Sequence, residues 1–172
     1  MDKQRADERF EALFAAQRQP LYRYLYRLTG SPDAAEELVQ ASFVKAYGAI
    51  GRLPQDANER AWLYRIATNA ANDRFRRNCL CEWLPLRDES DQDEVPDHGA
   101  YTGESGPAMH DLGLDVQKAL SQLPDKYRAP LLLYGAEELS VNEIAQVLGI
   151  GVSAVKMRLL RAREMFRKVY DV

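Results

Sequence analysis

Apolar positions in this chain recur at intervals of three and four, and nowhere do they alternate long enough to predict a strand. From about Asp7 to Leu28 they fall at Phe10, Leu13, Phe14, Leu21, Leu25 and Leu28, and Gly30 ends the run. Ser31-Pro32-Asp33 then offers a capping hydroxyl, a proline at a first helical position and an acid for the positive end of a helix dipole. The helix so opened carries Ala35, Leu38, Val39, Phe43, Ala46 and Tyr47 on one side and is expected to close at Gly48 and Gly51. Asn58 is placed to cap a third helix, Glu59 to about Arg77, striped with Leu63, Ile66, Ala67 and Ala70.

Between Asn78 and about Gly113 the periodicity is lost, and Pro85, Pro96, Gly99, Gly103, Gly106 and Pro107 punctuate a polar run. So long a stretch without structure is uncommon inside one compact domain, so it reads as a linker. Helical spacing returns with Leu114, Val116, Ala119, Leu120 and Leu123, and Pro124 breaks it. A helix from about Lys126 to Gly135 comes next, in which Pro130 fits only a first turn or a kink. Ser140-Val141-Asn142-Glu143 has the form of a capping box and opens a two-turn helix with Ile144, Ala145 and Leu148, ended by Gly149. Ser153 is placed to cap a long final helix with Val155, Leu159, Ala162, Phe166 and Val169 inside. The expected fold is all-α, with helical domains at 1–77 and 114–172 joined by a flexible acidic linker at 78–113.

Composition changes this picture in one respect. With 172 residues, 46 % hydrophobic, the chain can build one ordinary core or two small ones. No apolar run approaches the roughly 18 residues that span a bilayer. The charged start, Met1 to Arg9, has no apolar stretch behind it and predicts no secretory leader. Cys79 and Cys81 are too close for an ordinary structural disulfide, so a reduced, cytoplasmic setting is the simplest expectation. The net charge of −3 argues against a nucleic-acid partner until its distribution is read. Between Glu82 and Asp115 ten acids face one base, Arg87, giving −9, and the remainder holds 22 bases against 16 acids. Basic ends on an acidic strap imply separate partners or mimicry.

The second domain reads as a helix-turn-helix. Ala145 is small where two helices approach, Gly149 permits the left-handed backbone of the turn, and Ile144, Leu148, Ile150, Val155 and Leu159 fill the wedge. Outside the last helix remain Lys156, Arg158, Arg161, Arg163, Arg167 and Lys168. Its first turns, with Ser153, Ala154, Lys156, Met157, Arg158 and Arg161, would enter a major groove, and the later bases would reach phosphates. Basic charge alone would fit a solvated helix end; the capping box and glycine turn beside it favour DNA. Cys79 and Cys81 with His98 and His110 show none of the strong zinc spacings, so no metal or cofactor is expected. With no nucleophile–base motif and no phosphate loop, no enzymatic activity is expected either. The acid pairs Glu36-Glu37 and Glu137-Glu138 read as solvated helix positions.

Two segments carry a resemblance. Ala35-Glu36-Glu37-Leu38-Val39-Gln40-Ala41-Ser42-Phe43-Val44-Lys45-Ala46-Tyr47 and the run from Ala61-Trp62-Leu63-Tyr64-Arg65 to Arg76-Arg77 resemble regions 2.2 and 2.3–2.4 of the extracytoplasmic-function (ECF) sigma factors, in the sigma-70 family. Leu123-Pro124-Asp125-Lys126-Tyr127-Arg128 and the stretch from Leu139-Ser140 to Arg163 resemble region 4 of the same family. The resemblance implies a promoter-recognising subunit that binds core RNA polymerase and promoter DNA, without a small-molecule substrate. The second helix would dock on the polymerase clamp through Glu37, Gln40 and Lys45. The third would meet the −10 element. There Asn69 and Asp73 would read a flipped base, Arg65, Arg74, Arg76 and Arg77 would neutralise phosphates, and Tyr64 would stack. Trp62 fits the core as well as a stacking role. The final helix would read the −35 element. The linker would either thread towards the polymerase cleft as a nucleic-acid mimic or serve as a solubilising tether. Ala41 stands where the family often has an acid, and Ala154, Met157 and Leu160 replace more polar residues. Sigma factors of this kind are usually restrained by an anti-sigma partner, which the resemblance therefore implies here. The rival readings are a conventional helix-turn-helix regulator with a dimerising or sensing N-terminal half, and a decoy that occupies polymerase or an anti-sigma protein without binding DNA.

Overall fold

A computed structural model describes residues 2–82 and 111–171, with side chains over 2–78 and 115–171. Seven α-helices and one 3-10 turn make up the described residues, with no strand among them. The first unit contains α1 (Lys3–Thr29), α2 (Pro32–Ala49), a 3-10 turn (Ile50–Arg52) and α3 (Glu59–Glu82). The second contains α4 (Asp111–Ser121), α5 (Asp125–Gly135), α6 (Val141–Leu148) and α7 (Val152–Tyr170).

Local chemistry sets most of the boundaries. Gly30, at φ 74°, takes the left-handed conformation that ends α1, and its amide returns to the Tyr26 carbonyl. Ser31 caps α2 by accepting from the Ala34 amide, with Pro32 just inside. Asn58 caps α3 by accepting from the Ala61 amide at 3.0 Å. The capping box of α6 is complete: the Ser140 hydroxyl accepts from the Glu143 amide at 3.2 Å, and the Glu143 carboxylate accepts from the Ser140 amide at 2.7 Å. Gly149, at φ 65°, turns the chain into α7.

Several boundaries differ from the expectation. Helix α3 runs on to Glu82 and α4 starts at Asp111, so both ends of the expected linker are helical. The stretch 83–110, with His98 and His110, lies outside the described residues, as do the side chains of Cys79 and Cys81. Helix α2 passes through Gly48 and yields to the 3-10 turn, which buries Ile50. Helix α7 starts two residues earlier than expected: Gly151 is its N-cap, and Ser153 lies inside the first turn. Pro130 is buried inside α5 beyond its first turn, at the cost of one helical bond to the Lys126 carbonyl.

The two units do not stand apart. One apolar core runs through both, from Leu25, Leu38, Phe43 and Leu63 to Leu133, Ile144 and Val155. Helix α3 packs on α6, and α1 packs on α4 and α5. Polar groups seal the seam. Arg128 is buried and donates to the carbonyls of Leu120 and Leu123 at the end of α4, and to Leu28 near the end of α1. Carbonyls at a helix C-terminus lack partners within the helix and carry its partial negative charge, so a guanidinium suits them. At the other end of the seam, Asn58 donates to Glu143 at 2.7 Å, which joins the N-terminal caps of α3 and α6.

Candidate nucleic-acid interface

Helix α3 buries Leu63, Tyr64, Ala67, Ala71 and Phe75 and turns its other side outward. Arg65, Asn69, Asp73 and Arg76 recur every three or four residues and are all exposed, so they line up on one stripe, with exposed Arg77 beside it. Arg76 lies 3.9 Å from Asp73. Half-buried Asn72 shares the stripe; its position seven residues after Arg65 carried that signal in the sequence. Trp62 is half-buried and packs on the core.

Two residues named for the same interface sit elsewhere. Arg74 points towards α2 and pairs with Glu37 at 2.8 Å, so a residue expected at DNA holds one expected at polymerase. Tyr64 is fully buried and donates to Glu137 at 2.7 Å, which leaves its ring no face to offer a base in this arrangement. Burial, and then the bond to Glu137, push its pKa far above that of an ordinary phenol. Glu137 itself was expected in solvent, yet only 7 % of it is exposed. It sits just beyond α5 in a loop where Arg60 donates to its carbonyl at 2.7 Å and lies 3.3 Å from its carboxylate. The next residue, Glu138, has φ 55°, a left-handed conformation costly for a residue with a Cβ, and this turn brings Glu137 onto α3 while burying Leu139.

On α2, Glu37, Gln40 and Lys45 are exposed, as expected for a docking face. Val44 and Tyr47 join them, 72 % and 52 % exposed. Tyr47 was expected inside, but it is half exposed and meets Phe10 in an edge-to-face contact, at 5.0 Å between centroids. A cleft between α1 and α2, of about 520 Å³, runs past Phe14, Arg18, Tyr22 and Gln40. The contribution of α1 to this cleft was not legible from α2 alone.

The helix-turn-helix matches its expected wedge: Ile144, Val155 and Leu159 are buried, with Leu148 and Ile150 packed against them. Val147 is buried too, an inward position the sequence reading missed. Ser153, Ala154, Lys156, Met157 and Arg161 are exposed on α7, and Arg158 is half-buried. Arg161 donates to the Tyr127 hydroxyl at 3.4 Å, which holds that phenol's pKa below its usual value. Among the described residues no three His, Cys, Asp or Glu side chains gather as a metal site. None of the described helices is long and apolar enough to cross a membrane.

Two exposed basic helix faces, one on each unit and one of them on a helix-turn-helix, have the form expected of a DNA-reading protein. Residues 13–79 match the family Sigma-70 region 2, and residues 113–166 match Sigma-70, region 4. The ECF RNA polymerase sigma factor SigW of Bacillus subtilis is 32 % identical over 153 residues, covering 86 % of this chain and 81 % of that protein. The RNA polymerase sigma-H factor of Pseudomonas aeruginosa is 31 % identical, covering 96 % of this chain and 88 % of that protein. Among solved structures, the sigma factor RpoE in complex with the anti-sigma factor NepR, from Bartonella quintana, matches with TM-score 0.75 and 25 % identity, over 96 % of this chain and 98 % of that one. CnrH in complex with the cytosolic domain of CnrY matches with TM-score 0.70 and 26 % identity, over 98 % of this chain and 94 % of that one. The chain belongs to the ECF group of the sigma-70 family of RNA polymerase sigma factors.

Proposed function

We propose that this chain is the promoter-specificity subunit of an RNA polymerase: the α1–α3 unit holds the core enzyme and meets the −10 element, and α7 reads the −35 element. The observation that carries this reading is the pair of outward faces, on α3 and on α7, that remain exposed while the rest of both helices is packed. A regulator with only a sensing N-terminal half has no need of the first.

Each face has its own set of residues. Exposed Glu37, Gln40 and Lys45 on α2, with Val44 and Tyr47 supplying apolar area, form the polymerase face. Asn69 and Asp73 receive an unstacked base of the −10 element, and Arg65, Arg76 and Arg77 neutralise its backbone. Arg74 acts at the edge of both faces through its pairing with Glu37. Ser153, Ala154, Lys156, Met157, Arg158 and Arg161 lie along the groove-facing side of α7, and the bases beyond them reach phosphates.

An anti-sigma protein is the second partner. The solved RpoE was captured with the anti-sigma factor NepR and CnrH with the cytosolic domain of CnrY, and each matches this chain across both units. That agreement supports a closed arrangement of the two units as the form such a partner holds.

Run-off transcription with sigma-free core polymerase tests the function. Addition of the purified chain yields start-site-selective RNA from a promoter library. If the chain instead binds free duplex as a dimer and leaves core polymerase inert, the helix-turn-helix regulator is the correct reading.

A further inference from the structure

The outer side of α7 is not uniformly basic. Ser153, Met157 and Leu160 succeed one another at intervals of four and three, so they form a single ridge along the helix, which exposed Glu164 ends one turn further on. Met157 is 51 % exposed and Leu160 54 % exposed, even with both units packed together. Basic side chains flank the ridge: Lys156 and Arg163 on one side, Arg158 and Arg161 on the other. Tyr127 and Tyr134 help to hold two of these flanks. Arg161 bonds the Tyr127 hydroxyl, and the Arg163 guanidinium lies 4.9 Å from the Tyr134 ring centroid.

We propose that Met157 and Leu160 determine specificity at the −35 element by packing against thymine methyl groups in the major groove. This deepens the proposed function and rests on it. Charge complementarity selects the occupant: an apolar ridge between two basic rows matches a groove whose floor carries methyl groups and whose two rims carry phosphates. A thioether and an isobutyl group have no strong hydrogen-bond donor, so neither can read the acceptor edge of guanine as arginine does. Ser153 remains the one hydrogen-bonding group on the ridge in the turn that enters the groove first.

The test uses holoenzyme reconstituted from core polymerase and the full chain. A −35 element is first selected from a promoter library randomised at that position. Each thymine in the selected duplex is then replaced by deoxyuridine, which removes one methyl and changes no hydrogen bond. Wild-type holoenzyme loses about fourfold in affinity at one or two positions, the effect of removing one buried methyl. In Met157→Ala or Leu160→Ala the thymine-to-deoxyuridine ratio at the matching position collapses towards one. Both side chains are exposed, so neither variant should disturb folding. A selected element without thymine, or an undiminished ratio in both variants, overturns the proposal while leaving the sigma function intact. Failure to initiate from any promoter overturns the function itself.

Discussion

Glu143 holds two helix starts at once, since its carboxylate closes the capping box of α6 and accepts from the Asn58 cap of α3. The backbone bond at Ser140 and then the Asn58 amide hold its pKa below the usual carboxylate value, against some desolvation. A depressed pKa contributes stability that is present above the unfolded-state value and is lost as pH falls through the folded one. The stability difference between wild type and Glu143→Gln, monitored by urea unfolding, is therefore expected at neutral pH and should vanish in acid. Arg76 and Arg74 should also part company in solution, as they do in the structure. Arg76→Ala should lower the slope of log affinity against log salt by about one phosphate contact, and Arg74→Ala by less, because Arg74 is already committed to Glu37. Equal slopes for the two variants would remove that distinction. Sequence spacing could place Arg74 on α3, but only the angle at which α2 crosses it decides what the guanidinium meets. The same limit hid the burial of Tyr64 and Glu137, whose environment is made by residues 73 positions apart.

At the scale of elements, helix starts and stops were the most legible features, because a cap is a contact among near neighbours. Asn58, Ser31, Ser140, Gly30 and Gly149 all act where the sequence placed them. The start of α7 was less legible, since Gly151 and Ser153 are both acceptable caps and no side chain bonds the amides there. Faces were legible where one partner covers them. The inner positions of α7 obey the pattern, whereas Phe14 lines a cleft that two helices form together and Tyr47 stays half exposed. The loop between α5 and α6 is the element under strain. Glu138→Gly should relieve its left-handed backbone and raise stability by up to about 1 kcal/mol, measured by thermal or urea unfolding. No gain would mean that the glycine's added freedom when unfolded offsets the relief.

The whole molecule presents a problem of reach. By their names the two promoter elements are centred about 25 base pairs apart, or about 85 Å along a straight duplex. From Asp73 down α3 to Asn58, across to Glu143, and on through α6 and the turn to Met157 is at most about 65 Å, at 1.5 Å per helical residue and 3.8 Å per residue of turn. If α3 and α7 read the two elements as proposed, the closed chain cannot touch both at once, and the seam is expected to open on initiation. Glu137→Ala removes the buried acceptor of Tyr64 and the anchor of Arg60, about 1–3 kcal/mol of unmet hydrogen bonding. Small-angle scattering of that variant should give a larger radius of gyration than wild type, and Glu137→Gln, which keeps an acceptor, a smaller increase. Unchanged dimensions in both would show that the apolar seam alone keeps the units together. The sequence foretold two bundles and a strap but not the seam, because residues that serve both bundles read as core for either one. Arg128 sets a penalty on dividing the protein. A solitary C-terminal half would keep Arg128 on the end of α4 and on Asp125, but would lose the Leu28 carbonyl and expose the apolar flank around it where the last turn of α1 had stood. Such a fragment is an amputated surface, and its stickiness or lost affinity would report the cut and not the reader.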